Sequence, residues 1–152
     1  DTINKITLNL NSLKTVLESK PNVLAHNIEA VRRIFKQVRK QGDYDTSLLL
    51  LKKSKEINPN IPTKSSIILG LGETKEEIIL TMKDLINNQV DFLTLGQYLK
   101  PSIKHTEIKK YYTPQEFDEL KQEALNLGFK HVESGPLVRS SYRADKLNPL
   151  IK

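Results

Sequence analysis

Short apolar runs alternate along this chain with longer segments in which apolar residues recur every three or four positions. The clearest runs are Ser66–Leu69 and Phe92–Leu95, and a helical pattern follows each of them. Strands that alternate with helices are typical of parallel βαβ units. The number of units, about four to five, is too small for a closed eight-stranded barrel. The sequence therefore predicts an α/β fold, either a partial (β/α) barrel or an open doubly wound sheet, with an irregular C-terminal tail.

The remaining elements are predicted from local signals. Further short strands are expected at residues 6–10, 23–25 and 129–132, and helices at about residues 12–17, 28–38, 45–57, 74–87 and 114–127. Asp45 is the expected cap of the third helix. Thr74 with Glu77, and Thr113 with Glu116, have the spacing of capping boxes. The domain organisation that follows is a barrel part at residues 1–132 and a tail at residues 133–152.

Composition restricts the possible classes of protein. The chain of 152 residues contains no cysteine, which excludes disulfides, thiolate-bound zinc and cysteine-held iron–sulfur clusters within it. No stretch approaches the roughly 20 apolar residues of a membrane-spanning helix, so no membrane partner is expected. The start lacks a signal-peptide pattern and an initiator Met, which favours a mature form or a fragment.

The net charge of +6 comes mostly from scattered lysines. Solvated lysines on helix faces are the favoured interpretation, and no nucleic-acid partner is expected. A non-catalytic basic α/β module that binds nucleic acid or an acidic carrier stays open as an alternative.

Residues that follow parallel strands are the candidate functional residues, because strand ends of this kind meet on one rim. The segments concerned are residues 25–27, 69–73 and 96–98, with the segment after Val132 beside them. The glycines of the 69–73 turn permit a close approach of a ligand to the backbone. The turn lacks the pattern of a phosphate-binding loop, however, and a tight strand-to-helix turn is the favoured interpretation. His26, His105 and His131 have no metal-binding spacing.

Several ordered motifs resemble lipoyl synthases over residues 12–145. The most specific is Gly-Pro-Leu-Val-Arg-Ser-Ser-Tyr at residues 135–142, and the others lie at residues 26–29, 44–51, 62–65, 69–73 and 95–102. The resemblance is to the C-terminal half of the family. It implies a radical S-adenosylmethionine enzyme on a partial (β/α) barrel, which inserts two sulfur atoms into an octanoyl chain on a carrier protein or lipoyl domain. One 4Fe–4S cluster cleaves S-adenosylmethionine to a 5′-deoxyadenosyl radical, and a second, auxiliary 4Fe–4S cluster supplies the sulfur.

In this family the three-cysteine motifs of both clusters lie in the N-terminal half. The chain alone is therefore expected to be inactive and to need that half as a partner. A relic half-barrel that requires another chain is a further alternative. The family occurs in bacterial cytoplasm, mitochondria and plastids, so the resemblance implies an organelle for a eukaryotic source and the cytoplasm for a bacterial one.

The resemblance also implies residue roles. Ser141, with Ser140 as the alternative, is the expected serine ligand of the auxiliary cluster, and Arg139 would offset the negative charge of that cluster or orient a sulfide. Asn27 or Glu29 would hydrogen-bond the ribose or amino group of S-adenosylmethionine. The other expected contacts of this cosubstrate are Lys64, at the methionine carboxylate, and Gly70, Gly72, Gln97 and Tyr98.

Overall fold

The structure is a computed structural model that describes residues 11–100 and 106–139. The predicted strand at residues 6–10, His105, Ser140 and Ser141 lie outside the described residues. The elements in chain order are α1 (residues 11–18), β1 (Leu24–Ala25), α2 (Phe35–Val38), α3 (Tyr44–Ile57), β2 (Thr63–Leu69), α4 (Lys75–Asn87), β3 (Phe92–Gln97), α5 (Pro114–Leu127) and β4 (His131–Gly135).

The four strands form one parallel sheet in the order β1-β2-β3-β4. Each strand pairs with the next one in the chain, as expected for successive right-handed crossovers. Within the described residues the sheet is open, with β1 and β4 at its edges. The predicted α/β class with parallel strands is confirmed.

The two faces of the sheet differ in character. One face carries Ile67, Leu95 and Val132, which pack with the helices into the main hydrophobic core. Ser134 on the same face donates a hydrogen bond from Oγ to the Phe117 carbonyl of α5 at 2.8 Å. Alternate residues of a strand point to opposite sides of the sheet. On the opposite face, most of the side chains are polar or small. Its residues on β2, β3 and β4 include Lys64, Ser66, Thr94, Gly96 and Glu133.

The helix ends follow the local signals in most cases. Both predicted capping boxes are confirmed, at Thr74 with Glu77 and at Thr113 with Glu116. Gly128 ends α5 in the left-handed conformation that glycine adopts readily. The predicted Asp45 cap is wrong: Asp43 is the cap of α3, and its side chain accepts from the Thr46 N–H.

The helix predicted at residues 28–38 is also wrong, since only Phe35–Val38 is helical. Ile28 donates its N–H to Ser65 Oγ at 2.9 Å, and Glu29 adopts a positive φ of 68°. These contacts with β2 hold the loop out of a helix although its apolar residues still face the core. The last strand also differs from the prediction, because it covers His131–Gly135 and so crosses the proposed boundary after residue 132.

Candidate functional site

The rim at the carboxyl ends of the strands includes a loop of residues 26–29 that β2 holds in place. Glu29 donates its N–H to the Ser66 carbonyl at 2.9 Å and accepts at its own carbonyl from the Ile68 N–H at 2.7 Å. A left-handed backbone is unusual for a residue other than glycine, and such conformations persist where surrounding contacts impose them. The sheet therefore fixes where the Glu29 side chain begins.

Glu29 lines two cavities. The first has a volume of about 240 Å³ and brings Glu29 together with three other predicted site residues, Gln97, Tyr98 and Arg139. Its remaining lining residues are Ser66, Ile68, Gly96, Leu99 and Val138. A small cavity with apolar walls and a few polar groups suits the binding of a small molecule.

The second cavity, of about 450 Å³, is shallow and open to solvent, and His26, Asn27 and Arg39 line it together with Glu29. The Arg39 guanidinium donates from Nη1 to the Asn27 carbonyl at 2.9 Å. Two polar atoms here, His26 Nε2 and Asn27 Oδ1, are buried and have no hydrogen-bond partner among the described residues. Since buried polar groups are normally paired, these two atoms are exceptions at the rim.

Burial governs the charges of this loop. It raises the pKa of the Glu29 carboxyl, and the Arg39 charge and the Asn27 side chain act against that rise. Burial, followed by the charge of Arg39, lowers the pKa of His26 to about 4. His26 is therefore neutral at neutral pH, and Arg39 is the cation that favours the charged form of Glu29.

The glycine turn after β2 is closed by the chain itself. Gly70 and Leu71 donate their N–H groups to the Glu73 carboxylate at distances of 3.0 to 3.2 Å. Gly70 has a φ of 108°, and a Cβ there would also meet the Lys110 carbonyl at 2.6 Å. This geometry favours the tight-turn interpretation. A direct contact of Gly70 or Gly72 with a cosubstrate stays a prediction.

Gln97 and Tyr98 hold a strap, which we define as residues 106–112, over this turn. The Gln97 amide donates from Nε2 to the Lys110 carbonyl at 2.8 Å and accepts at Oε1 from the Tyr112 N–H at 2.9 Å. The Tyr98 hydroxyl donates to the Thr106 carbonyl at 2.6 Å. Both side chains line the first cavity, but their polar atoms are engaged by the strap, so their predicted contact with a cosubstrate stays untested.

Residues 136–139, which we call the arm, cross the end of β3. Arg139, the last residue of the arm, lines the first cavity. Its Nη1 donates to the Val138 carbonyl at 2.8 Å and to the Gln97 carbonyl at 3.4 Å. The crossing is possible because Gly96 has no side chain: a Cβ there would collide with the Val138 carbonyl oxygen. The arm thus brings Arg139 to the cavity that Glu29 also lines.

Lys64 lines neither cavity described above. It is buried on the polar face of β2, between Ala25 and Phe92 of the neighbouring strands. Burial lowers the pKa of Lys64, and the negative charge of Glu133 opposes that effect. The predicted contact with a methionine carboxylate stays a prediction.

Within residues 11–100 and 106–139 there is no cluster of three or more His, Asp or Glu side chains placed to hold a metal ion. None of the helices in that part of the chain is long and apolar enough to cross a bilayer.

No protein-family model matches the chain. Among curated proteins, the lipoyl synthase of Bacillus subtilis strain 168 is 56% identical over 138 residues, which is 91% of this chain and 46% of that protein. The lipoyl synthase of Bacillus velezensis gives the same figures. That of Geobacillus thermodenitrificans is 58% identical over 135 residues, 89% of this chain and 45% of its own length. The chain belongs to the lipoyl synthase family. It spans about half the length of these relatives.

The predicted family is thereby confirmed. The lipoyl synthases named above are bacterial, which gives the organelle alternative no support. Sequence reasoning missed Arg39 as a residue of the lipoyl synthase rim. The sequence showed only that Arg39 is a basic residue near the predicted helix end at Gly42. It did not show that the Arg39 side chain turns back to the Asn27 carbonyl.

Proposed function

We propose that this chain is the part of a lipoyl synthase that binds S-adenosylmethionine, within an enzyme that inserts two sulfur atoms into a protein-bound octanoyl chain. The observation that carries the proposal is that Glu29 lines both cavities, in a chain of this family. The protein substrate would be an octanoylated carrier protein or lipoyl domain. The bacterial relatives favour the cytoplasm as the compartment.

The residues of the rim fit a nucleoside with an amino-acid side arm. A charged Glu29 carboxylate can accept hydrogen bonds from both ribose hydroxyls, and Asn27 Oδ1, which is buried and has no partner among the described residues, can accept from an ammonium group. The apolar groups of Ile68, Leu99 and Val138 would exclude water from the bound cosubstrate. Bound S-adenosylmethionine would supply the hydrogen-abstracting chemistry of the reaction.

Iron–sulfur clusters do not fit this chain by itself, since they require thiolate ligands and the chain has no cysteine. We therefore assign both 4Fe–4S clusters to the remaining half of the protein and propose that the chain alone is inactive. Ser141, or Ser140, would be the one auxiliary-cluster ligand that this chain supplies. Arg139 would bring a positive charge to the same place.

The proposal is tested with a hybrid protein in which this chain replaces the matching 138 residues of the Bacillus subtilis relative. The hybrid is expressed in a bacterium that lacks its own lipoyl synthase, and lipoylation of carrier proteins is measured by mass spectrometry. We expect the hybrid to restore lipoylation, and Glu29→Gln and Ser141→Ala to abolish it.

Lys40→Gln is the matched control, because Lys40 is exposed and lines neither of the two cavities that contain Glu29. It should leave lipoylation intact. A folded hybrid that contains both clusters and gives no lipoylated product would contradict the proposal, as would full activity in the Glu29→Gln variant.

A further inference from the structure

Arg39 contacts both α2 and the rim loop. Its backbone N–H donates to the Phe35 carbonyl at 2.8 Å, and its guanidinium lies 5.8 Å from the centre of the Phe35 ring. Nη1 donates to the Asn27 carbonyl at 2.9 Å. The side chain is half-buried. These contacts fix the cation at one end of the loop that carries Glu29.

Glu29 shares each of its two cavities with an arginine from a different part of the chain. Arg39 follows α2 and shares the second cavity with Glu29, whereas Arg139 belongs to the arm and shares the first. A carboxylate that is partly removed from water is disfavoured in its charged form unless a cation is near. Arg39 is the cation whose charge acts on Glu29 most directly, because it lowers a pKa that burial raises.

We infer that Arg39 is a positioning residue of the nucleoside site, which holds the 26–29 loop through the Asn27 backbone and keeps the Glu29 carboxylate charged for the ribose hydroxyls. This inference rests on the proposed function, because it takes the nucleoside of S-adenosylmethionine as the ligand. Arg39 itself need not touch that ligand. Its effect reaches the site through the geometry and the charge of its neighbours.

Other charged groups around Glu29 affect the same equilibrium. His26 lies on the same loop and is neutral at neutral pH, since its pKa is about 4. Arg139 approaches from the arm after β4. Lys64 and Glu133 lie on the neighbouring polar sheet face, where the charge of Glu133 acts on Lys64. Arg39 also lowers the pKa of His26, so the pH profile of an Arg39 variant reports on both groups, and the Glu29→Gln variant identifies the part that comes from Glu29.

The test uses the hybrid protein and measures the affinity for S-adenosylhomocysteine, which resembles the cosubstrate and is not cleaved, over a range of pH. Arg39→Gln should weaken binding roughly tenfold near neutral pH, as expected for the loss of a hydrogen bond to a charged group. The lost affinity should return in part as the pH rises, because Glu29 ionises at a higher pH once the cation is absent. Arg39→Lys should preserve the pH profile of the unaltered hybrid, and Lys40→Gln should change neither affinity nor profile.

The outcomes distinguish a failure of the proposed function from a failure of the role inferred for Arg39. No binding by the unaltered, folded hybrid overturns the proposed function itself. If that hybrid binds, unchanged affinity in Arg39→Gln overturns the role of Arg39, and so does an equal loss at every pH, which a purely structural role would give. If Arg39→Gln does not fold, Glu29→Gln decides instead: binding to it should no longer vary with pH in the range where the unaltered hybrid titrates, and a persisting profile overturns the inference.

Discussion

Gln97 and Tyr112 are joined by a hydrogen bond of 2.9 Å from the Tyr112 backbone N–H to the Gln97 side-chain oxygen. The same amide donates to the Lys110 carbonyl at 2.8 Å, and Gln97 is only 4% exposed. Tyr112 is also linked to the glycine turn, because its hydroxyl donates a hydrogen bond to the Glu73 carboxylate at 2.6 Å. The strap is thus fastened to the end of β3 and to the turn after β2.

Removal of the Gln97 amide should therefore loosen the strap. Gln97→Ala leaves partly buried backbone groups of Lys110 and Tyr112 without these partners, and we expect the free energy of unfolding to fall by about 2 kcal/mol. Tyr112→Phe removes only the hydroxyl bond to Glu73 and should cost about 1 kcal/mol. Urea denaturation measures both effects, and amide hydrogen exchange at Tyr112 should accelerate in Gln97→Ala.

The exposed Gln37 in α2 offers a control, since Gln37→Ala removes a similar side chain without a strap contact. A loss of stability in Gln37→Ala equal to that in Gln97→Ala would argue against a specific role of the Gln97 bonds.

The arm depends on a glycine in the sheet beneath it. Gly96→Ala places a methyl group against the Val138 carbonyl, so we expect the arm to leave the sheet at a cost of about 1 to 3 kcal/mol. Limited proteolysis should then cut the segment after Gly135 faster. Gly135→Ala is the matched control, because its Cβ would meet Val138 Cγ2 at an ordinary 3.6 Å. Equal cleavage rates in the two variants would show that Gly96 does not hold the arm in place.

Local signals account for the parts of the fold that sequence predicted well. The capping boxes at Thr74 and Thr113 involve residues three positions apart, so the sequence contains the whole interaction. The loop at residues 28–34 was predicted wrongly because its conformation depends on β2, and the Ile28 N–H contact with Ser65 spans 37 positions. Apolar periodicity indicates which residues are buried, and here a loop and a helix satisfy that pattern equally well.

The candidate site shows the same division between local and distant contacts. Motifs identified Glu29, Gln97, Tyr98 and Arg139, and the structure brings these four together at one cavity. Their individual contacts did not follow from the motifs. The amide of Gln97 is engaged by a strap 13 to 15 positions further along the chain. Arg39 was missed because its contact with Asn27 depends on the path of the chain between them.

His26 should make stability depend on pH. Its pKa is about 4 in the folded chain, whereas an unfolded histidine titrates near 6.5. Between these values the unfolded chain binds a proton that the folded chain does not, so stability is complete above about pH 6.5 and falls as the pH decreases towards about 4. His26→Gln should reduce the loss of unfolding free energy between about pH 7 and about pH 5 by up to about 2 kcal/mol. Urea denaturation at both pH values measures this loss of unfolding free energy. If stability depends on pH equally in the variant and the original chain, His26 is not the group responsible.

Asp91 connects two lysines that differ in exposure, at the end of the sheet opposite the rim. Its carboxylate lies 2.6 Å from Lys55 Nζ and 3.2 Å from Lys130 Nζ, and it accepts the Thr63 N–H at 2.9 Å. Burial alone would raise the pKa of Asp91, but the hydrogen bonds and charges of Lys55, Thr63 and Lys130 lower it. The Lys55 side chain is 11% exposed and that of Lys130 is 72% exposed.

This difference predicts unequal effects of the two lysines. Lys55→Ala removes the buried partner of a buried carboxylate and should cost about 3 kcal/mol, whereas Lys130→Ala removes an exposed partner and should cost less than about 1 kcal/mol. Because the folded pKa of Asp91 is lowered, its contribution to stability is present above the unfolded pKa and is lost as the pH falls through the folded value. Urea denaturation of both variants near neutral pH measures the difference. Equal losses would mean that exposure does not decide the strength of these pairs, and that the contacts of Asp91 with Thr63 carry the stability of this end of the sheet.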